Sequence, residues 1–416
     1  MRTSFLDNKW MRAAVPALLI HACIGSVYCW SLLKGDIATE VGCSVKEIEF
    51  AFSLAIFFLG MSAAFGGRFV EKNVTAASVV SCLCFSTGLL LTVFSIYSKS
   101  VLGIMLSYGC LMGIGLGIGY LSPVKTLMLW FKEHKGLATG IAISGFGLSK
   151  VIFSPYIEWC TAKYDISTTL VSMSVISIFS MLTAAWLIKK PADWVEPKVK
   201  WKLKDYWQVH KNGTFLKIWF VFYINITCGL ALIAFEKNIA QTVGIAAVMI
   251  GLLSSLTAFF NTAGRFGYST VSDYTENKQT IYKILLSSSV LVMLLGFAFG
   301  SSVAIVVVML CVINAGYGGG FSTLPTLLQS KFGMEKISTI HGLALSAWAW
   351  AGLSGNQLSN LIINQWQKPY EYLYVVLAVL YLIALALTFA IPKNKEAIDY
   401  EEEQQEFSKL DPSFIE

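Results

Sequence analysis

Arg265 and Lys150 interrupt otherwise apolar runs, where a charge needs a partner, a water-filled cavity or a bound ion. A guanidinium can clasp a carboxylate through two parallel hydrogen bonds, which an ammonium cannot do. Arg265 lies eight residues before Asp273, about 12 Å along a helix. Its alternatives are to snorkel to the near interface or to pair with Asp273. Lys150 follows Gly136 by fourteen residues, about 21 Å of helix, so it reads either as a second cation for an anion or as the partner of Glu158. Lys125, five residues before Trp130, is expected to snorkel. His21 can bind a proton or donate a hydrogen bond to a neighbouring helix, and Tyr28 lies on a similar face at i+7. Tyr317 and Phe321, at i and i+4, can enclose a small planar anion or simply pack. Neither HExxH, GxSxG nor paired carboxylates inside an apolar run occurs, so catalytic residues are not expected.

Such residues need a scaffold, and composition names it. The chain is 56% hydrophobic and 13% charged, against about 25% charged in soluble proteins. Apolar windows long enough to cross a bilayer, about 20 residues each, fall at 11–33, 48–67, 74–97, 100–123, 136–160, 167–188, 214–236, 244–266, 280–300, 303–328, 338–361 and 370–391. The expected fold is an all-α membrane protein of twelve transmembrane helices in two pseudo-symmetric six-helix bundles. If the N-terminus is cytoplasmic, outside segments hold only Lys34, Lys46, Lys99, Lys163, Lys237 and Lys368, while the inside ones hold Arg68, Lys132, Lys135 and the cluster from Lys189 to Lys211. The positive-inside rule therefore puts both termini in the cytoplasm, with the first span retained as a helix. The net charge of +6 follows from this topology and gives no reason to expect nucleic acid.

The run LMGIGLGIGY carries glycine at 113, 115, 117 and 119, a spacing that departs from the GxGxxG of a dinucleotide loop and suits close helix packing. No cofactor is expected. Nine scattered cysteines without a CxxC pair make a metal or a disulfide framework an unlikely use of them. The sequons at Asn73, Asn212 and Asn225 fall on cytoplasmic or intramembrane positions, where no glycan is expected.

The polar interval from Lys189 to Lys211 divides the chain. The expected units are an N-terminal six-helix bundle (1–190), a cytoplasmic linker (191–212), a C-terminal six-helix bundle (213–392) and an acidic cytoplasmic tail (393–416). KGLATGIAISGFG at Lys135 is echoed by HGLALSAWAWAG at His341, 206 residues later; GGRFVEK, with Glu71, is echoed by GRFGYSTVSDYTENK, with Asp273. Equivalent joints at similar offsets indicate a duplicated unit with its substrate site between the halves.

These joints resemble the loop motif of the major facilitator superfamily, in degraded form: Glu71-Lys72 stands where Asp-Arg is usual. The resemblance implies that Glu71 and Asp273 lie in conformational-gating loops. More narrowly, SVYCWSLL, WFKEHKGLATG, GFGLS, NTAGRFGYSTVSD and YGGGFSTLPTLLQSKFG are similar to the oxalate/formate antiporter family, whose neighbours include monocarboxylate transporters. The resemblance implies that Arg265 binds a substrate carboxylate, and that Tyr28, Tyr120, Tyr317, Phe321 and Asn261 line the pocket with Lys150. Trp348 stands where an oxalate-exchanging member has a lysine, which leaves a single arginine suited to a monocarboxylate, and Phe146 stands where it has a tyrosine, which removes one hydroxyl donor. The expected function is secondary transport of a small organic anion, such as formate, lactate or pyruvate, by a monomer in the cell membrane. Alternatives are oxalate/formate exchange, proton symport through His21, drug export, or a receptor that does not transport. No acidic residue lies nearer the middle of any expected span, which weighs against proton symport.

Overall fold

The computed structural model describes residues 8–194 and 203–393. Among them are twelve long helices, here called spans 1 to 12: Trp10–Val41, Val45–Lys72, Val74–Tyr97, Val101–Trp130, Lys135–Lys163, Ile166–Leu187, Gly213–Thr242, Ala247–Asp273, Gln279–Phe299, Val303–Phe332, Ile337–Asn360 and Tyr370–Phe389. Ten are long and apolar enough to cross a membrane. Spans 8 and 11 are outside that set, and each carries polar groups along its length, Asn261 and Arg265 in one and His341 and Ser346 in the other.

Several helices outrun the apolar windows. Span 1 continues past 33 to Val41, span 4 past 123 to Trp130, and span 7 past 236 to Thr242. Hydropathy reports where apolar side chains stop, whereas a helix in a membrane continues as long as it keeps its backbone groups bonded. Of the expected linker, Leu203–Lys211 is a short helix; residues 195–202 and the acidic tail from 394 lie outside the described residues.

The helix ends show what the sequon asparagines do. Asn73 caps span 3 by accepting from Ala76 N–H at 3.0 Å, and Asn212 caps span 7 by accepting from Phe215 N–H at 2.9 Å. Each satisfies a backbone donor that the first turn of a helix leaves open. Asn225 is fully buried and donates to the Gly316 carbonyl at 3.3 Å, tying span 7 to span 10.

The alternating glycines belong to span 4 and serve two neighbours. Gly113 and Gly117 face Ala55 and Leu59 of span 2, and Gly115 and Gly119 face Ser81 and Phe85 of span 3. Hydroxyls then bridge the close contacts: Ser81 donates to the Gly115 carbonyl at 2.7 Å and Ser62 to the Ile114 carbonyl at 3.1 Å. The two six-helix halves meet along spans 2 and 11 and along spans 5 and 8, where Gly67 lies against Thr339 and Gly136 against Ser269.

A Cβ at Gly117 would sit 2.1 Å from the Leu59 carbonyl oxygen, a backbone atom that cannot turn aside. Gly117→Val is therefore expected to lose at least the ~1–3 kcal/mol typical of overpacking. Gly267→Ala, with no atom within 4 Å of its added carbon, should leave the melting temperature unchanged. Thermal unfolding of the two purified variants tests the contrast.

Candidate functional site

Span 8 places Arg265 at the centre of the interface between the halves, 2% exposed. Its Nε donates to Asn261 Oδ1 at 2.8 Å, one turn earlier on the same helix, and its Nη1 donates to the Ile143 carbonyl of span 5 at 3.3 Å. The guanidinium also lies 5.4 Å from the Phe321 ring and 5.8 Å from the Phe146 ring, within cation–π range. Span 10 can come this close because residue 318 is glycine; a Cβ there would lie 2.1 Å from the Asn261 carbonyl oxygen. Neither alternative for Arg265 is seen. It does not reach an interface, and Asp273 is engaged elsewhere; among the described residues the ion pairs are Lys34–Glu49 and Lys132–Asp193.

Aromatic rings close around this charge. Phe321 packs edge-on against Trp348 at 4.5 Å and against Tyr317 at 5.2 Å, and Phe146 contacts Tyr28, Tyr120 and Trp348 at 5.3, 5.9 and 5.9 Å. The Tyr28 hydroxyl lies 3.5 Å from that of Tyr317 and also faces Arg265. Tyr120 Oη and Trp348 Nε1 are buried with no hydrogen-bond partner among the described residues. Both can donate, and an unbonded buried donor costs about 1–3 kcal/mol. A fixed cation with two unspent donors beside it is suited chemically to a small anion bearing oxygen.

His21 packs on Tyr120 at 5.2 Å, and its ring nitrogens face two backbone carbonyls, Nδ1 that of Ala142 and Nε2 that of Tyr120, the latter at 3.2 Å. It thereby links span 1 to spans 5 and 4.

Glu71 and Asp273 cross between the halves. Asp273, at the end of span 8, accepts from the Gly136 and Leu137 N–H groups at 2.6 and 2.8 Å, at the start of span 5. Glu71, at the end of span 2, accepts from Thr339 N–H at 3.1 Å, at the start of span 11. Each carboxylate sits where the open N–H groups and the helix dipole favour negative charge. The two joints expected from the repeat thus make equivalent contacts in opposite directions, and they close the lysine-rich end of the bundle.

Three other expectations change. Lys125 does not snorkel; it is 1% exposed, because span 4 runs to Trp130 and is enclosed by spans on both sides. Glu158 is exposed and forms no ion pair with Lys150. The carboxylate near Lys150 is instead Glu236 of span 7, on which it acts electrostatically. Glu236 is 8% exposed and accepts from Ser254 and Thr257 of span 8, each at 3.1 Å. An acidic residue does therefore lie within a span. In the sequence Glu236 stands at the edge, because the apolar window of span 7 stops there. His341 is a further buried polar residue outside the expected set, although a histidine opening an apolar run is a visible signal.

The family model of the Major Facilitator Superfamily matches residues 17–356. The chain belongs to that superfamily. Similar proteins include the uncharacterized MFS-type transporter YhjX of Escherichia coli (strain K12), 24% identical over 346 residues, covering 82% of this chain and 85% of that one. The oxalate:formate antiporter of Oxalobacter formigenes is 24% identical over 402 residues, covering 94% and 93%. Among solved structures, a bacterial homologue of the iron transporter ferroportin, outward-facing with soaked iron, superposes with a TM-score of 0.74 at 12% identity over 91% of this chain and 98% of that one. The superfamily member described here is a multi-span membrane transporter and not an enzyme.

Two measurements test the site's electrostatics. Asp273→Ala should speed hydrogen exchange at the first amides of span 5, and Glu71→Ala at those of span 11, each without affecting the other; unchanged protection would show that the carboxylates hold nothing. Lys150→Met should lower the melting temperature by removing the charge near Glu236, and adding Glu236→Gln should recover part of the loss. Additive losses in this double-mutant cycle would show the two to be independent.

Proposed function

We propose that this transporter carries a small organic monoanion across the cell membrane by alternating access, with the carboxylate held by Arg265. The observation that carries the reading is the enclosed guanidinium itself: it has no carboxylate partner among the described residues, and the unspent donors of Tyr120 and Trp348 lie in the same aromatic enclosure. Asn261 holds Nε and so sets the plane of the guanidinium, while the hydroxyls of Tyr28 and Tyr317 lie against each other near it.

Size and charge favour a monocarboxylate such as formate, lactate or pyruvate. One fixed charge neutralises one carboxylate, and Trp348 fills the wall with a neutral donor where a second cation would suit oxalate. Drug export would favour a carboxylate at the centre for a cationic substrate; the buried Glu236 lies instead on span 7 toward the opposite end from the lysine-rich loops, within electrostatic reach of Lys150. By the positive-inside rule the lysine-rich end is cytoplasmic. Glu71 and Asp273 then act as cytoplasmic latches that hold the two halves together until the substrate shifts the balance, and Lys150 with Glu236 lies on the outer half of the pathway. The first six spans and the last six move as units about the site.

A ligand present at 100 times its Kd stabilises by about 2.7 kcal/mol, so thermal-shift measurement with formate, lactate, pyruvate, oxalate and succinate is the direct test. The monocarboxylates should raise the melting temperature more than oxalate does. Arg265→Lys should abolish this shift and most transport while folding normally, because it keeps the charge and loses the two-bond fork. Uptake near wild type in that variant, or oxalate competing tenfold better than the monocarboxylates, would overturn the reading.

A further inference from the structure

Lys150 is half-buried in span 5, and its ammonium makes no hydrogen bond or ion pair among the described residues. Its neighbours on the same helix face fix its level. Three residues earlier, a Cβ at Gly147 would lie 2.9 Å from Thr262 Oγ1 and 3.6 Å from Arg265 Nε. Four residues later, Ser154 Oγ lies 3.7 Å from Cys29 Sγ of span 1. Lys150 therefore stands about one helical turn, roughly 4.5 Å, beyond the level of Arg265, on the side away from the lysine-rich loops. It acts electrostatically on two buried groups from opposite halves, Cys29 of span 1 and Glu236 of span 7, which places it between the halves.

Span 8 carries a matching polar stripe. Ser254, Thr257, Asn261 and Arg265 recur at intervals of three or four residues and so share one helix face, over about 16 Å. At its inner end Asn261 accepts from Arg265. At its outer end Ser254 donates to one oxygen of Glu236 and Thr257 to both, each at 3.1 Å. These hydroxyls occupy the carboxylate, so Glu236 forms no direct ion pair with Lys150 and the ammonium is left unclaimed.

We infer that Lys150 is an outer binding site for the carboxylate on its way to Arg265, and that Glu236, within electrostatic reach of it, limits entry to singly charged anions. The inference rests on the reading of Arg265 as the inner anion site. Lys150 and Arg265 are positive and Glu236 is negative, so the route carries a single surplus positive charge. A monoanion neutralises that surplus, whereas a dianion leaves a negative charge over, and away from bulk water its repulsion by Glu236 is stronger. The order of the two cations suits passage inward. An ammonium attracts an anion as a point charge without fixing its plane, and the guanidinium then clasps it through a planar fork.

Uptake of formate, lactate and pyruvate into proteoliposomes holding the full chain, with oxalate and succinate as competitors, tests the assignment. Lys150→Gln should raise KM for the monocarboxylates about tenfold with turnover within about twofold, as expected when a binding contact alone is lost, and Lys150→Arg should restore KM. Thr257→Val, which frees Glu236 to turn onto Lys150, should raise KM in the same way. Glu236→Gln should make oxalate and succinate compete about tenfold better while the monocarboxylates change far less, because it removes only the repulsion of a second negative charge. If that variant folds poorly, Lys150→Gln combined with Glu236→Gln gives the same reading against Lys150→Gln alone. An unchanged KM in Lys150→Gln would overturn the outer site, and unchanged competition by both dianions would overturn the role of Glu236; either result leaves Arg265 standing. If wild type carried none of the three acids, or Arg265→Lys carried them as well as wild type, the Arg265 reading would fall and this inference with it.

Discussion

A guanidinium enclosed among helices, with no carboxylate partner among the described residues, is the constraint on which the centre of this molecule depends. Desolvating Arg265 is costly, and the structure offsets that cost only in part, through Asn261, one backbone carbonyl and two aromatic faces. Glycines at the contacts with spans 5 and 10 let backbone approach the side chain, and the rings enclose it. What is left over is the charge on which the proposed anion site rests. The donors of Tyr120 and Trp348 and the open nitrogen of His341 lie within the same shell of aromatic contacts.

The same chemistry recurs at the lysine-rich end. Glu71 and Asp273 bind helix N-termini of the opposite half, so that closure is held by directional, charge-assisted hydrogen bonds between carboxylate and backbone, with no ion pair required. Such contacts can be broken as a set when the halves separate, because each carboxylate and each first helical turn can be rehydrated at the membrane surface. The centre has no such option, because Arg265 is buried on every side by packed helices.

How far the site could be read from sequence varied by residue. Arg265, Tyr28, Tyr120, Phe146, Tyr317, Phe321 and Trp348 are legible in the sequence as candidates, and all of them meet in one cluster. Lys125 was misplaced because distance from a helix end does not reveal which neighbours cover a side chain. Glu236 is the last residue of its apolar window, 214–236, and reads as a terminal residue there, whereas the helix carries on to Thr242. For Lys150 the sequence offers Glu158 on its own helix as one of two readings, whereas the carboxylate on which it acts comes from span 7, more than eighty residues away in the chain.

The sequence by itself determined the solvent, the number of spans, the duplication and the placing of charges along each helix, since these follow from hydropathy, length and repeated motifs. Tertiary structure alone decided which charges face one another. It set Asp273 on span 5 and not on Arg265, turned Glu71 to span 11, and left a nitrogen of His341 open while both nitrogens of His21 were occupied. The physical reason is that helix rise gives a residue's depth, but partners across an interface depend on the rotation and packing of whole helices, which the glycine contacts set and no single stretch of chain encodes.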